Sequence, residues 1–242
     1  SDMTAVANLT GLTNLNLRSS EISDISSVGN LTNLTTLEFQ NNQITDLTPL
    51  VENTGISGTI NFKNNPLNNT ALSTHIPALE ARGITIEYDM PEGVVLFKDA
   101  NLEKAIRDAL GIPTELLKKE DLAKLEVLEY TGFKLAENER IVDLAGIEYS
   151  INLAELQIVE SQISDLSPLA TLTNLILLSL GTNQIKDISP LANLNNLKTL
   201  YLAYNQIDDI GPLANLTNLT TLELQYNQIS NVKPLANLTS LA

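Results

Sequence analysis

From Leu153 onward the apolar residues return on a fixed spacing. Written from each first leucine, residues 153–240 read LAELQIVESQISDLSPLATLTN, LILLSLGTNQIKDISPLANLNN, LKTLYLAYNQIDDIGPLANLTN and LTTLELQYNQISNVKPLANLTS, four copies of one 22-residue unit with no insertion. The shared pattern is L-x-x-L-x-L-x-x-N-x-I-x-D-I-x-P-L-A-x-L-T-N. The leucines at positions 4 and 6 form a period-2 run, which predicts a strand with one face buried. Asn at position 9 (Asn183, Asn205, Asn227) falls where the chain must turn, and an inward amide there can bond backbone that no sheet pairing satisfies. Isoleucines at 11 and 14 and leucines at 17 and 20 bring the chain back along the core. Serine before proline (Ser167-Pro168, Ser189-Pro190) predicts a short helical turn capped by the serine hydroxyl, with proline in its first turn. So short a return leg favours 3-10 turns over long helices. A fixed period of this kind is the signature of a solenoid, its coils stacked ~4.8 Å apart with one parallel sheet along the strand side.

The same unit recurs earlier in the chain. Ser1 to Gly11 matches positions 12 to 22, so the first repeat is cut in half; Leu12 to Asn33 is a complete copy with Ser20 in the Asn slot. The copy from Leu34 runs one residue long to Ile56, and in a degenerate copy after it Ile60, Phe62 and Asn65 hold the strand and turn slots. The period then breaks. Asn69 to Arg82 reads as a helical segment stopped by Gly83, and Ile84 to Tyr88 as a last strand. A helix and an irregular strand close an apolar solenoid end, so this is a C-terminal cap. Asp89 to Val94 (DMPEGV) is a short linker. In FKDANLEKAIRDALGIP, Leu102, Ile106, Ala109 and Leu110 share a helical face, Asp99 is the expected N-cap, and Gly111 with Pro113 ends the helix. A second helix is expected over Glu115 to Lys124. Leu125 to Asn152 is an enlarged first repeat, with LEVLEY as strand, TGFKLAENER as insertion and IVDLAGIEYSIN as return leg.

On these repeats the chain resembles a leucine-rich repeat protein of the 22-residue class, most similar to the internalins of Gram-positive bacterial surfaces. The helix pair before the regular copies resembles the helical N-terminal cap of internalin-like repeats. The expected fold class is α/β: a right-handed leucine-rich-repeat solenoid with a parallel β-sheet on the concave face, 3-10 turns on the convex face, and helical caps. Two domains are expected. Residues 1–90 are a C-capped stack with a truncated start; residues 91–242 are a helical N-cap (95–124) and a stack with a truncated end. Reversed in order, the pieces would make one ordinary capped solenoid. They cannot do so within one chain: nine strands at ~4.8 Å stack to about 43 Å, whereas a five-residue linker reaches at most ~18 Å. Each bare end would expose an apolar face of order 300 Å². The ends either belong to a longer array or meet between molecules, head to tail, as a reciprocal dimer or a filament.

Composition narrows the function. The net charge is -15, from 14 basic against 29 acidic residues, a field that repels nucleic acid and anionic lipid. No apolar run approaches the ~18 residues of a membrane span, and no signal peptide opens the chain. Cysteine is absent, which excludes disulfides and thiol chemistry. The acids at position 13 (Asp24, Asp46, Asp165, Asp187, Asp209) are explained by turn capping without a metal. No phosphate loop or nucleophile motif occurs, and the single histidine, His75, sits in the cap segment. The expectation is a non-enzyme without cofactor or metal. Asn-x-Ser/Thr triplets at Asn8, Asn30, Asn33, Asn215, Asn218 and Asn237 belong to the repeat consensus and would stay unglycosylated in a bacterial source.

What varies freely is the exposed face of the strands, at positions 3, 5, 7 and 8. In the regular copies these hold Glu155, Gln157, Val159 and Glu160; Leu177, Ser179, Gly181 and Thr182; Thr199, Tyr201, Ala203 and Tyr204; Thr221, Glu223, Gln225 and Tyr226. Three tyrosines gather there in a chain with only six, beside Leu177. Tyrosine anchors interfaces because it buries a large area at low entropy cost. The candidate protein-binding residues are therefore Leu177, Thr199, Tyr201, Tyr204, Glu223, Gln225, Tyr226, Glu155 and Gln157; alternatively Tyr204 and Tyr226 only cover the turn beside Asn205 and Asn227. In the first stack the same positions are small or polar (Asn14, Asn16, Arg18, Thr36, Glu38, Gln40), a weaker surface. The resemblance implies a secreted or cell-surface bacterial protein binding a protein partner, a host surface protein among the candidates. The competing class is a structural spacer or self-assembling array without a specific ligand.

Overall fold

The structure, a computed structural model, describes residues 3–242; Ser1 and Asp2, which open the expected half repeat, lie outside the described residues. The chain forms two compact units, residues 1–96 with 114–116, and residues 97–113 with 117–242.

The first unit carries a parallel sheet in the order β1 (Asn14–Asn16), β2 (Thr36–Glu38), β3 (Thr59–Asn61) and β4 (Thr85–Glu87). Leu15 pairs with Leu37, Leu37 with Ile60, and Ile60 with Ile86, so the strand leucines and isoleucines form one inward column. Behind it Ile22, Ile25, Val28, Leu31, Leu34, Phe39, Ile44, Leu47 and Leu50 are buried, the positions the repeat assigned to the core. Each such side chain withdrawn from water contributes about 2 kcal/mol. The return legs are a 3-10 turn at Ser26–Asn30 and a short α-helix, α1 (Thr48–Glu52). A wide π turn at Ala71–His75 runs into α2 (Ile76–Ala81), ahead of Pro77, which has no N–H to give the ladder. Gly83 takes the left-handed conformation (φ 82°) that ends the helix. Arg82 closes the cap by donating to the carbonyls of Leu50, Val51 and Asn53, the open end of α1.

The second unit opens with α3 (Ala100–Leu110). Asp99 caps it as expected, accepting from the amides of Asn101 and Leu102, and Gly111 (φ 68°) ends it. Leu102 and Ile106 face the core, but Ala109 is exposed, so the apolar face is narrower than the sequence suggested. The expected second helix is only α4 (Lys119–Leu122): Leu117 is fully buried and Lys118 extended (ψ 160°), which keeps the preceding residues out of a helical path. Five parallel strands follow in sequence order, β5 (Val127–Thr131), β6 (Glu155–Val159), β7 (Leu177–Ser179), β8 (Thr199–Tyr201) and β9 (Thr221–Glu223). Leu128, Leu156, Leu178, Leu200 and Leu222 stand in register along them. The return legs are 3-10 turns at Ser167–Leu169, Ser189–Leu191, Gly211–Asn215 and Lys233–Asn237.

One local reading is corrected. The turns are capped by the aspartate at position 13, not by the serine at 15: the Asp165, Asp187 and Asp209 carboxylates accept from the amides of Ser167, Ser189 and Gly211 at 2.8 Å. Serine already lies inside the turn, and its hydroxyl donates to the same carboxylate. The aspartate two residues back has the reach for an Asx-type bond.

Candidate functional site

Register and turn geometry together shape the strand face of the second unit. Every regular coil leaves its strand through a left-handed residue at position 8: Glu160, Thr182, Tyr204 and Tyr226 have φ of 54° to 59°. Asparagine follows and locks the bend. Asn205 accepts from the Ile185 amide of the preceding coil at 3.0 Å and donates to the carbonyls of Leu180 and Leu202 at 3.0 and 3.1 Å. Asn183 and Asn227 repeat this with their own neighbours. The position-8 side chains are thereby held outward, one above another.

In that column Tyr204 and Tyr226 stack with ring centroids 4.2 Å apart and 15° between planes. They are 52% and 68% exposed, large aromatic area left in water. A hydrogen bond with the Tyr226 hydroxyl, and burial after it, holds the Tyr204 phenol above its usual range. The neighbouring position-7 column is small at its centre, Gly181 and Ala203. Tyr201 stands on the other side, so a groove of 340 Å³ runs between Tyr201 and Tyr204. Its remaining lining is Val159, Glu160, Ser179, Thr182, Glu223 and Gln225, two carboxylates and no basic residue.

Of the sequence candidates, Tyr201, Tyr204, Glu223 and Gln225 meet in this groove. Tyr226 backs Tyr204. Glu155, Leu177 and Thr199 stand in register with one another in the position-3 column, outside it. Gln157 also lies outside, its amide donating to Glu129 at 2.9 Å. Glu160 and Gly181, free strand-face positions in the repeat but not among the candidates, prove to be groove residues. The signal for them was the small residue at position 7 in two successive coils. On the first unit the strand face is polar and self-paired: Lys63 meets Glu87 at 3.1 Å, Asn61 donates to Glu87, and Gln40 donates to Glu38.

A second hollow, 690 Å³ between α3 and β5, was not foreseen. Lys104, Asp108 and Tyr130 line it, but Lys104 and Asp108 are paired at 2.6 Å, and the Tyr130 hydroxyl donates to the Glu139 carbonyl. Burial first, and the Asp99 carboxylate second, push the Tyr130 phenol up. His75 packs in the first unit's cap, 12% exposed, with Nδ1 3.6 Å from Asp46. Among the described residues no group of three acids or histidines could hold a metal ion, and no helix is long and apolar enough to cross a membrane.

Repeated coils, in-register parallel strands and 3-10 return legs define a repeat solenoid. A sequence profile described as "Leucine Rich repeats (2 copies)" matches residues 10–52, 151–193 and 195–241. The chain belongs to the leucine-rich repeat family, and within it is internalin-like. It is 33% identical to internalin C2 from Listeria monocytogenes, covering 97% of this chain and 80% of that one, with a TM-score of 0.46. Internalin F of the same organism is 28% identical over 100% of this chain and 63% of its own, with a TM-score of 0.47. The functional domain of InlJ, also from Listeria monocytogenes, is 22% identical over 97% and 48%, with a TM-score of 0.44. No curated protein sequence matches the chain.

Proposed function

We propose that the chain is a non-enzymatic bacterial binding scaffold, secreted or held at the cell surface, that recognises a host protein through the strand face of its second unit. The observation that carries this reading is the stacked Tyr204–Tyr226 pair, exposed beside a groove with a small-residue floor. Rigid aromatics flanking a shallow groove are the chemistry of interface anchors. The test is a screen of the purified chain against displayed extracellular host domains, repeated with the Tyr201→Ser/Tyr204→Asn variant. Asparagine suits the left-handed conformation at position 204, so that substitution leaves the turn intact. A partner whose affinity falls at least about tenfold in a variant of unchanged melting supports the reading; undiminished binding refutes it.

A second reading, self-association, has its own observation. Leu222, Leu224, Ile229, Val232, Leu235 and Leu241 line an apolar hollow of 400 Å³ on the last coil, with Val232 66% exposed. Head-to-tail contacts through this face would make a spacer or array. Light scattering decides it: a mass that rises with concentration and returns to the monomer in a Val232→Lys variant favours assembly, and a constant monomer mass excludes it.

A further inference from the structure

Resting on the protein-binding reading above, the geometry points to a specific occupant for the groove: an arginine side chain of the partner, its guanidinium laid on the Tyr204 ring and paired with Glu160. Tyr204 and Tyr226 come from adjacent coils, and their 4.2 Å, nearly parallel stack means that the ring faces look along the column. One face of Tyr204 is covered by Tyr226; the other looks over Thr182 toward Glu160, two coils away or about 10 Å. The residues between them, Thr182 in the column and Gly181 beside it, are small next to a tyrosine ring, which leaves room above them in the groove. A guanidinium over the Tyr204 face sits within about 6 Å of the ring centre, its N–H groups pointing out along its own plane, and the Glu160 side chain, reaching back along the column, can accept at that edge at about 2.8 Å.

Charge selects the same occupant. Glu160 is half-buried, and among the described residues no ion pair or hydrogen bond engages its carboxylate. The second groove acid, Glu223, holds only the Gln225 amide, at 3.2 Å. An unpaired carboxylate in the same groove as an aromatic ring stacked on one side, with no lysine or arginine in the lining, is half of a recognition pair. Arginine fits better than lysine because its guanidinium is flat, stacks, and is weakly hydrated.

The test is an amide-resolved NMR titration of the whole chain with N-acetyl-arginine amide, and with the uncharged N-acetyl-citrulline amide as control. The expected result is saturable shifts at Gly181, Thr182 and Tyr204, at least about fivefold tighter for arginine. Glu160→Gln should remove that preference. Gly181→Val should block binding without unfolding, since a Cβ there meets only the Ala203 carbonyl at 3.5 Å, an ordinary contact. Equal shifts with citrulline, or non-saturating shifts unchanged in Glu160→Gln, overturn the proposal. A screen partner lost by Tyr201→Ser/Tyr204→Asn but kept by Glu160→Gln would overturn the arginine slot alone and leave the binding reading standing.

Discussion

Asn205 concentrates at one residue what joins coil to coil. Its amide satisfies one N–H and two carbonyls that the sheet leaves open, and it is almost fully buried. Asn205→Ala strands the Ile185 amide, while the Leu180 and Leu202 carbonyls keep the Asn183 and Asn227 amides, so it should cost about 2 kcal/mol, within the roughly 1–3 kcal/mol of one stranded buried polar group. Urea denaturation gives that difference; a loss under about 1 kcal/mol would mean the ladder is ornamental. The aspartates add a pH dependence. Amide and hydroxyl bonds from Ser26 and Ser189 lower the carboxyl pKa of Asp24 and Asp187 below the ordinary 3.8. A pKa depressed in the folded state contributes stability that is present above the unfolded value and lost as pH falls through the folded one. The wild-type advantage over Asp24→Asn/Asp187→Asn should therefore hold at neutral pH and shrink below about pH 4, followed by urea melts at stepped pH. At this scale the sequence was legible where the repeat places one residue type in one slot, as with the position-9 asparagines. It was not where the slot's neighbour decides. The asparagines at position 22, which close the repeat pattern, form a second ladder, Asn174 to the Ile151 carbonyl, Asn196 to Thr173 and Asn218 to Asn195, whose partners lie in the preceding coil and are not set by the local pattern.

The elements at the ends of the stacks depend on single polar clasps. Asp99 both caps α3 and accepts from the amides of Val142 and Asp143 on the first return leg of the second unit. One carboxylate thus fixes the helix start and docks the helix on the repeats. Asp99→Ala should destabilise by about 2–3 kcal/mol, more than a cap alone at about 1, because two further part-buried amides lose their acceptor. Hydrogen exchange in α3 should quicken more than in β8; uniform quickening would show that the clasp is not local. The caps were legible as helices because Asp99, Gly83 and Gly111 are strong start and stop residues. Their extent was not. α4 is cut short by the burial of Leu117, and Ala109 faces water beside the hollow under α3, both outcomes of tertiary packing rather than of the local period.

Across the whole second unit, contact is almost entirely between a coil and the next. Strands pair only with sequence neighbours, and the asparagine ladders bridge residues 20 to 25 apart. This makes the stack nearly one-dimensional, with stability a sum over coils and their interfaces. The groove does not share that property, because it spans consecutive coils that differ in side chain, from Glu160 through Thr182 and Tyr204 to Tyr226. Period explains the scaffold, and the departures from period make the surface; sequence reasoning reached the columns but not which coils close on one another. Excising residues 175–196, one complete coil, separates the two properties. Leu156 would then register with Leu200 and Asn205 would bond the preceding coil's Ile163, so the shortened chain should unfold cooperatively with a smaller urea slope. It should also lose arginine binding, since Gly181 and Thr182 are gone and Glu160 moves to within one coil of Tyr204, about 5 Å along the stack. Excising residues 175–185 instead leaves half a coil out of phase, turns the core leucines of every later coil to the wrong face, and should abolish the cooperative transition. Equal stability for the two deletions would show that the coils are not the folding unit.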